Sequence, residues 1–505
     1  MKRIISFALI IMMVFALAAC KQPKDTAVDP TDAPKPTEAA ADPTEVPTDD
    51  PAKITPEPTE MPVKPDDPHK DLPKIMQGHN VAFIYNPDGA LYGWGSNEYG
   101  QVGCGSNEGR NVPVFIGTGL KPVIVGDTVF ALSPDGVLWG WGRNDAAQLG
   151  TGDTENRLSP VELMYFVTDV VDQGLCFGAL TESGEYYEWG WQPVVSGLTD
   201  AQKAERTEPQ LVLDNVRSVN GRYIVTRDNV LLTRTYDEGW QKLCEDVAEV
   251  CWDYTGILVK GTDGKLYALR GGEKLLVAGT GSRSVTISDG TAYILMNDGK
   301  LYSYVIDFST VVDTPEDAMG RIELLMDGVT DFYAGFYTDE DWAYDYKVAL
   351  KANGELWTWG VWKQAMLGKS QMADQKTPEC VATGVRSVVV NGAAMYAVAD
   401  DGELWATGMG RDEGLMFGCI GDGTDATRYG FVSTRLEGVC EVYSDLNIVY
   451  EEEEESDYVI LYSRSYAVDA EGRIFAWGWN GDGFLGTGAG EELVLTPTEV
   501  HLTKN

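Results

Sequence analysis

The sequence DGVLWGWGRNDAAQLG at residues 135–150 is one copy of a phrase that recurs along this chain of 505 residues. Further clear copies begin at Asp88 (DGALYGWGSNEYGQVG), Asn353 (NGELWTWGVWKQAMLG) and Glu471 (EGRIFAWGWNGDGFLG). In each copy a two-residue turn ending in Gly separates runs of apolar and aromatic residues, which predicts a β-hairpin. A unit that recurs every 35 to 50 residues or so indicates repetition of one supersecondary element and not a single-core enzyme fold.

Nine such turns can be aligned along the chain. They lie near Asp88, Asp135, Ser183, Asp228, Asp263, Asp298, Asn353, Asp401 and Glu471. Each turn is preceded by one short apolar strand and followed by a second, and many units continue with a loop, a Pro-Val segment and a Val-rich strand. Four short strands per unit predict the blades of an all-β propeller.

Three segments carry a resemblance to a known family. Trp94–Gly103, Trp141–Gly150 and Trp477–Gly486 follow a pattern of the type Trp-Gly-x-Asn-x-x-Gly-Gln-Leu-Gly. The chain from about residue 74 onward therefore resembles the regulator of chromosome condensation repeat family. That resemblance implies a β-propeller, usually of seven blades, whereas the nine anchors predict seven to nine. The units near Asp228 and Asp298, and the one between them, depart most because they lack Trp-Gly and the long loop.

The two ends of the repeat region suggest how the ring closes. The last unit ends at Pro497–Val500 without a Val-rich strand, and residues 72–78 look like that strand without a unit of their own. We therefore expect the N-terminal strand to complete the C-terminal blade. Closure of this kind removes exposed sheet edges.

The first residues read as a targeting segment. Lys2 and Arg3 precede an apolar stretch that is too short to span a bilayer comfortably, and Leu17–Cys20 looks like a bacterial lipobox. This pattern predicts a signal peptide at 1–19 and a lipoprotein whose Cys20 is diacylated with palmitate-type chains. The protein would then face the extracytoplasmic side of the cell membrane. The alternative is an ordinary cleaved signal in which Cys20 is incidental.

Composition separates a tether from the repeats. Residues 20–71 are rich in Pro, Thr and Asp, cannot bury enough apolar area to fold and predict a disordered tether, with the propeller at 72–505. The net charge of −39 disfavours binding to nucleic acid or anionic lipid, so we expect membrane contact through the anchor only. We expect a monomer. The acidic run from Glu451 to Glu455 predicts a solvated loop, with calcium binding as the alternative.

Histidine and cysteine limit the chemistry available. The three histidines, His69, His79 and His501, lie at the edges of the repeats, so no histidine-based catalytic triad is expected. The seven cysteines after Cys20 include no Cys-x-x-Cys pair, which argues against zinc, and a disulfide such as Cys244 to Cys251 stays open. We therefore assign no catalytic residue, metal or cofactor, although paired carboxylates leave glycoside hydrolysis open.

The tryptophans of the Trp-Gly pairs occupy one phase of one strand, which predicts packing between blades. Trp191 and Trp479 follow the Trp-Gly pair, at the loop position that Arg143 occupies in another unit, and Trp362 lies one residue further on. These four residues are the candidate ligand-binding set. They favour a membrane-anchored scaffold whose rim loops bind a protein or a surface glycan. A carboxylate-dependent polysaccharide-acting enzyme is the alternative, and a ligand-free surface spacer is a third reading.

The family resemblance implies two precedents for function: a nuclear guanine-nucleotide exchange factor, and secreted bacterial propellers that inhibit enzymes by binding. The signal segment and the acidic surface disfavour the first.

Overall fold

The computed structural model describes residues 69–502, apart from 174–175, 192–205, 236–238, 254, 307–321, 339–342, 362–366, 370–373, 412–415 and 453–456. The predicted signal peptide, Cys20, Trp362 and nearly all of the predicted tether lie outside the described residues.

The described residues fold into nine sheets, each containing four antiparallel strands in chain order, and each sheet is one blade of a β-propeller. Blades 1 to 3 consist of β1 (Lys74–Gln77), β2 (Val81–Tyr85), β3 (Ala90–Gly95) and β4 (Arg110–Thr118); β5 (Lys121–Ile124), β6 (Thr128–Leu132), β7 (Leu138–Gly142) and β8 (Arg157–Met164); and β9 (Val167–Asp172), β10 (Phe177–Thr181), β11 (Tyr186–Trp189) and β12 (Gln210–Leu213).

Blades 4 to 6 consist of β13 (Val216–Asn220), β14 (Tyr223–Thr226), β15 (Leu231–Thr235) and β16 (Gly239–Cys244); β17 (Val247–Trp252), β18 (Ile257–Gly261), β19 (Leu266–Arg270) and β20 (Glu273–Ala278); and β21 (Ser282–Ser288), β22 (Thr291–Met296), β23 (Leu301–Val305) and β24 (Ile322–Met326).

Blades 7 to 9 consist of β25 (Val329–Thr338), β26 (Ala343–Lys351), β27 (Leu356–Gly360) and β28 (Gln375–Ala382); β29 (Val385–Val390), β30 (Ala394–Ala399), β31 (Leu404–Gly408) and β33 (Arg428–Ser433); and β34 (Val439–Glu452), β35 (Asp457–Asp469), β36 (Ile474–Trp479) and β37 (Leu493–Val500). The short strand β32 (Met416–Phe417) pairs in parallel with β35.

The core is divided among the seams between blades. Each of the nine seams, including the one between blades 9 and 1, contains its own cluster of buried apolar side chains. First strands of neighbouring blades contact each other, as β17 and β21 do, so the first strand of a blade lies nearest the ring axis. The predicted all-β propeller is therefore confirmed, with nine blades.

Closure of the ring differs from the prediction. β1 pairs with β2 of blade 1 (Ile75 opposite Ile84), while the last blade has a first strand of its own, β34. The predicted completion of the C-terminal blade by an N-terminal strand is therefore wrong. The Val-rich strand is joined to the following strand by only a few residues and forms a hairpin with it, so each blade begins one strand earlier than the turn-based units suggest. The ring closes instead through side-chain packing, in which Trp94 contacts Tyr466 with ring centroids 6.0 Å apart.

The alternating strand directions create two distinct rims. Links between first and second strands and between third and fourth strands lie on one side, which we call the loop rim. The Asp-Gly-type turns and the links between blades lie on the other side, the turn rim. Each Asp-Gly-type turn is stabilised locally, as where Asp88 Oδ1 accepts a hydrogen bond from the Ala90 N–H (3.0 Å).

Two smaller expectations are also settled by the structure. All seven cysteines in the described region are free thiols, and the Cys251 Sγ donates to the Val285 carbonyl oxygen at 3.6 Å, so no Cys244 to Cys251 disulfide forms. Glu451 and Glu452 belong to β34 and pair with Tyr458 and Asp457, so the acidic run begins within a strand and not in a loop as expected.

Candidate functional site

The third-to-fourth-strand loops of blades 1, 2 and 9 are each organised by a buried asparagine. In blade 2, Asn144 Oδ1 accepts from the Leu149 N–H (2.8 Å), and Nδ2 donates to the carbonyl oxygens of Asp153 (3.1 Å) and Glu155 (3.0 Å). The same set of contacts recurs at Asn97 and Asn480. Because the amide satisfies both a donor and two acceptors, it fixes a loop that has little regular secondary structure.

We call a loop that is fixed by one of these asparagines a clamped loop. The tryptophan of the repeated phrase joins its blade to the clamped loop of the preceding blade. Trp141 Nε1 donates to the Gln101 carbonyl oxygen (2.9 Å), and Trp94 Nε1 donates to the Phe484 carbonyl oxygen (2.9 Å). Gly103 lies against the Trp141 ring and has a φ of +81°. A Cβ atom at this position would lie 2.8 Å from Trp141 Nε1, so only glycine fits. The tryptophans are therefore packing residues between blades, as their shared phase predicts.

Arg143 lies on the loop rim of blade 2 within a polar cluster. Its guanidinium makes two hydrogen bonds to Asp145 (2.9 and 2.8 Å), lies 3.6 Å from Asp127 and covers the Tyr99 ring at 4.9 Å. The hydrogen bonds to Asp145 raise the pKa of Arg143. Burial opposes the charged form of Asp145, but hydrogen bonds from Arg143 and Gln148 prevail and lower its pKa. Arg143 is thus held rigidly over an aromatic ring while remaining about one-third exposed.

Arg464 lies at the seam between blades 9 and 1 and is almost completely buried. Its Nη2 donates to the Gly78 carbonyl oxygen (2.5 Å) and lies 3.5 Å from Asp445 Oδ2, while Cζ is 5.7 Å from the Phe484 ring centroid. Within the described part of the chain, Nε and Nη1 contact no acceptor. Burial and the nearby Arg464 charge lower the pKa of His79. A buried guanidinium with two unpaired nitrogens carries a desolvation penalty that an additional acceptor would relieve.

Asn80 connects the Arg464 seam to the Arg143 cluster. It follows Gly78 and His79 in the link between β1 and β2, and its Nδ2 donates to Asp127 Oδ1 at 2.8 Å. Polar groups therefore continue across the loop rim from blade 9 through blade 1 to blade 2.

The candidate tryptophans lie at the two ends of this polar line. Trp479 stacks on Tyr462 with centroids 4.1 Å apart and contacts Phe484 at 5.0 Å. Trp191 is half-buried in blade 3, and its backbone N–H donates to the Ala146 carbonyl oxygen of blade 2 (3.1 Å). The structure thus places Trp479, Arg143 and Trp191 on one stretch of the loop rim over blades 9, 1, 2 and 3, which we call the rim arc.

Two long β-ribbons rise from the same rim on either side of blade 8. In blade 7, β25 and β26 remain paired beyond Tyr346, where β27 ends its pairing. In blade 9, β34 and β35 remain paired beyond Arg464, where β36 ends its pairing. The loop rim therefore bears the most varied structure in the molecule, and the turn rim the most regular.

The model of the regulator of chromosome condensation (RCC1) repeat matches residues 88–125 and 135–173. These two stretches contain the clamps of Asn97 and Asn144 and the seam-closing Trp94 and Trp141. The chain is an RCC1-like β-propeller. A propeller of this kind suggests a protein-binding scaffold.

Several solved propellers are similar to this RCC1-like propeller. Yeast RCC1 (Prp20), solved bound to Kap60, is 15% identical, with 86% of each chain covered and a TM-score of 0.38. Human WBSCR16 is also 15% identical, with 82% of this chain and 94% of that chain covered and a TM-score of 0.40. BamB from Moraxella catarrhalis is 13% identical over 71% of this chain and 96% of that chain, with a TM-score of 0.31. All three scores are below 0.5, and the likeness to the RCC1 repeat rests on residues 88–125 and 135–173.

The rim arc of the RCC1-like propeller contains residues that the sequence did not single out, above all Arg464, His79 and Asp127. A usable signal exists for Arg464. It lies opposite Gly478, the Gly of Trp-Gly, where the corresponding residues of other blades are uncharged: Val81, Thr128, Tyr346 and Ala394. A charged residue opposite this glycine therefore distinguishes blade 9 from the other four blades in the sequence.

The described part of the RCC1-like propeller offers no group of three or more His, Cys, Asp or Glu side chains placed to hold a metal ion. Among the same residues, no helix has the length and apolar character needed to cross a membrane.

Proposed function

We propose that this RCC1-like propeller is a protein-binding scaffold, anchored through a lipid on Cys20 at the extracytoplasmic face of the membrane, and that the rim arc binds the partner. The RCC1-type repeats support binding as the role of the ring. A surface glycan is the second class of ligand that the same aromatic side chains suit.

The stacked pair of Arg143 and Tyr99 is the observation that carries the assignment of the rim arc. Two carboxylates hold the guanidinium over the ring, so little conformational entropy remains to be lost on binding. Arg, Tyr and Trp are the side chains that dominate binding energy at protein interfaces. In a chain with a net charge of −39, a partly exposed and immobilised arginine beside an aromatic ring is a distinctive feature.

The assignment can be tested by photocrosslinking in the host cell. A photoreactive amino acid replaces Tyr99 in the full-length protein, and crosslinked species are compared with and without Arg143→Ala. We expect a defined crosslinked protein partner at position 99 and its loss when Arg143 is removed.

Arg473 provides a matched control on the turn rim. It also pairs with a carboxylate, Asp469 (2.6 Å), and covers an aromatic ring, Phe475 (5.7 Å). A photoreactive residue at position 475 should not capture the same partner, and Arg473→Ala should leave crosslinking at position 99 unchanged. Equal capture from both rims would reject the rim arc as the binding surface.

Membrane anchoring is tested separately. Cys20→Ala should move the full-length protein from the membrane fraction to the soluble fraction, and the released protein should still form the crosslink at position 99 when it is mixed with the partner. Continued membrane association of the variant would contradict lipidation.

The alternative function, a carboxylate-dependent polysaccharide-acting enzyme, needs a general acid with a raised pKa. Two loop-rim carboxylic acids, Asp145 and Asp153, show the opposite shift, because hydrogen bonds from arginine neighbours lower their pKa values. Desolvation raises the pKa of Asp169 in β9, which makes it the carboxylic acid that such a reaction would use. Incubation of the full-length protein with polysaccharide substrates decides the point: turnover that is abolished by Asp169→Asn would replace the binding proposal.

A further inference from the structure

The links between blades share one unusual backbone conformation, and one of them breaks the residue pattern. A residue with positive φ lies at the end of all eight links, directly before the first strand of the next blade except in blade 2, where one residue intervenes: Gly119 (+75°, with Leu120 between it and β5), Phe166 (+61°), Asn215 (+61°), Asp246 (+57°), Gly281 (+99°), Gly328 (+75°), Gly384 (+70°) and Gly438 (+69°). Seven of these are Gly, Asn or Asp, which tolerate this conformation, whereas a bulky side chain is strained there. Phe166 is therefore the locally unfavourable choice.

Burial gives Phe166 no compensation. Its side chain is 66% exposed, the highest value among the large apolar residues that the structure describes, and the adjacent Tyr165 is 56% exposed. At the position of Tyr165, the other links carry a polar residue: Thr118, Asp214, Glu245, Thr280, Asp327, Thr383 and Glu437. An exposed aromatic pair that includes one strained residue, within an otherwise regular series of links, points to selection for something other than stability.

A cavity of about 460 Å³ adjoins this pair at the turn rim between blades 2 and 3. Met164, Tyr165, Phe166 and Tyr187 provide its apolar walls. The depression is large enough to receive a branched or aromatic side chain from another molecule.

Carboxylates surround the apolar walls. Glu182 and Glu185 line the cavity, and Tyr165 Oη donates to Glu162 Oε2 at 2.5 Å. Within the described residues, none of these three glutamates forms an ion pair, and Arg227 beside them donates to the backbone carbonyl oxygen of Glu182 and not to a carboxylate. The surface thus combines an apolar depression with three carboxylates that form no ion pair among the described residues, and with the nearby positive charge of Arg227.

We propose that the Tyr165–Phe166 surface is a docking site for a polypeptide segment in which an apolar anchor residue is flanked by lysine or arginine. The anchor fills the depression against Phe166, and the flanking cations pair with Glu162, Glu182 and Glu185. This surface lies on the opposite rim from the rim arc, so the RCC1-like propeller presents two independent binding faces.

The test uses the full-length protein and a fluorescein-labelled peptide in which a leucine and a tryptophan are flanked by lysines, followed by anisotropy at physiological salt. Phe166→Asn gives the link between blades 2 and 3 the same residue type that Asn215 provides at the link between blades 3 and 4. It thereby relieves the backbone strain of a bulky residue at positive φ. We expect it to raise the midpoint of thermal unfolding by about 1–3 °C while weakening peptide binding at least tenfold. Tyr165→Ala should weaken binding similarly.

Asn215→Phe is the matched control, because it places the same side chain at the next link, away from this cavity. We expect it to lower the unfolding midpoint and leave peptide affinity within twofold of wild type. A peptide with serines in place of leucine and tryptophan should bind at least tenfold more weakly, which separates docking from general attraction to an acidic protein. The proposal is overturned if Phe166→Asn binds like wild type, if it lowers the unfolding midpoint, if the serine peptide binds equally well, or if an oligosaccharide displaces the peptide.

Discussion

Blades 9, 1, 2 and 3 differ from blades 4 and 5 in how neighbouring blades are joined. In the first group, a clamped loop reaches over the seam and accepts a hydrogen bond from the tryptophan of the next blade. In the second group, the third strand returns after a few residues. There the half-buried Trp252 donates from Nε1 to Asn220 alone, to its carbonyl oxygen (3.1 Å) and its Oδ1 (3.2 Å), at the end of a strand and not in a long loop. Both groups form regular four-stranded blades. The repeated phrase is therefore dispensable for making a blade, and its role is to build and fix the long loops of the loop rim.

The largest expected difference concerns tryptophan removal at these two kinds of seam. Trp94→Ala leaves a cavity at the ring closure and removes the donor to Phe484, so it should lower the free energy of unfolding by about 3–5 kcal/mol. Trp252→Ala, at the seam of blades 4 and 5, should cost about 1–2 kcal/mol because less of the side chain is buried. Chemical denaturation of both variants measures the contrast, and equal losses would remove the distinction between the two sectors.

The clamp itself provides the next contrast. Asn144→Ala leaves the Leu149 N–H and the carbonyl oxygens of Asp153 and Glu155 without their partner, and should cost about 2–3 kcal/mol. Asn353→Ala is the matched control, since Asn353 is exposed and accepts one hydrogen bond from the Glu355 N–H (3.2 Å). We expect that variant to stay within about 0.5 kcal/mol of wild type. A similar loss in both would mean that the clamp adds nothing beyond a turn.

The sequence predicted the blades because their features are local. A turn ending in Gly, flanked by apolar residues, specifies a hairpin wherever it occurs, and nine such turns correspond to nine blades. Closure was predicted wrongly because the turn fixes only the second and third strands. Whether a Val-rich strand belongs to the blade before it or after it depends on the length of the link that follows it. Because β1 forms a hairpin with β2, the Val-rich strand is the first strand of blade 1, and the same holds for the other blades.

The rim arc was only partly predictable for a related reason. Trp479 was predicted because it is an aromatic residue outside the phase of the Trp-Gly pairs, and Arg143 because it occupies the same loop position in another unit. The Arg464 contact with Gly78 joins residues almost 400 positions apart, and the phase of the repeated strands does not show which neighbours meet when the ring closes. Trp362 lies outside the described residues, so its assignment remains a prediction.

A smaller contrast isolates the contact between glycine and tryptophan. Gly103→Ala forces a Cβ to within 2.8 Å of Trp141 Nε1 at a φ of +81°, and should cost about 2 kcal/mol. Gly290→Ala in blade 6 has a φ of +67° but nothing within 4 Å, so it carries the backbone strain alone, at about 1 kcal/mol. The difference between the two unfolding free energies measures the tryptophan contact. No difference would show that the loop yields to the added methyl group.

The smallest expected effect is the pH dependence contributed by Asp145. Because its pKa is lowered in the folded protein from an ordinary value of 3.8, its stabilising effect is complete above about pH 4 and is lost as the pH falls through the folded pKa. The side chain is 49% exposed, so solvent screening limits the effect to about 1 kcal/mol or less.

Unfolding measured at about pH 6 should therefore show a small deficit for Asp145→Asn relative to wild type, and the deficit should shrink steadily as the pH is lowered below about 4. Asp298→Asn in blade 6 is the comparison, since the pKa of Asp298 is also lowered, against the effect of burial, by hydrogen bonds that include Lys300, and its side chain is similarly exposed at 52%. If Asp145 acts only through its charge, both variants behave alike. A deficit for Asp145→Asn that persists at low pH would instead mean that the hydrogen bonds of Asp145 with Arg143 and Gln148 stabilise the loop whatever the charge of Asp145. Asn144 would then not be the only side chain that fixes this loop.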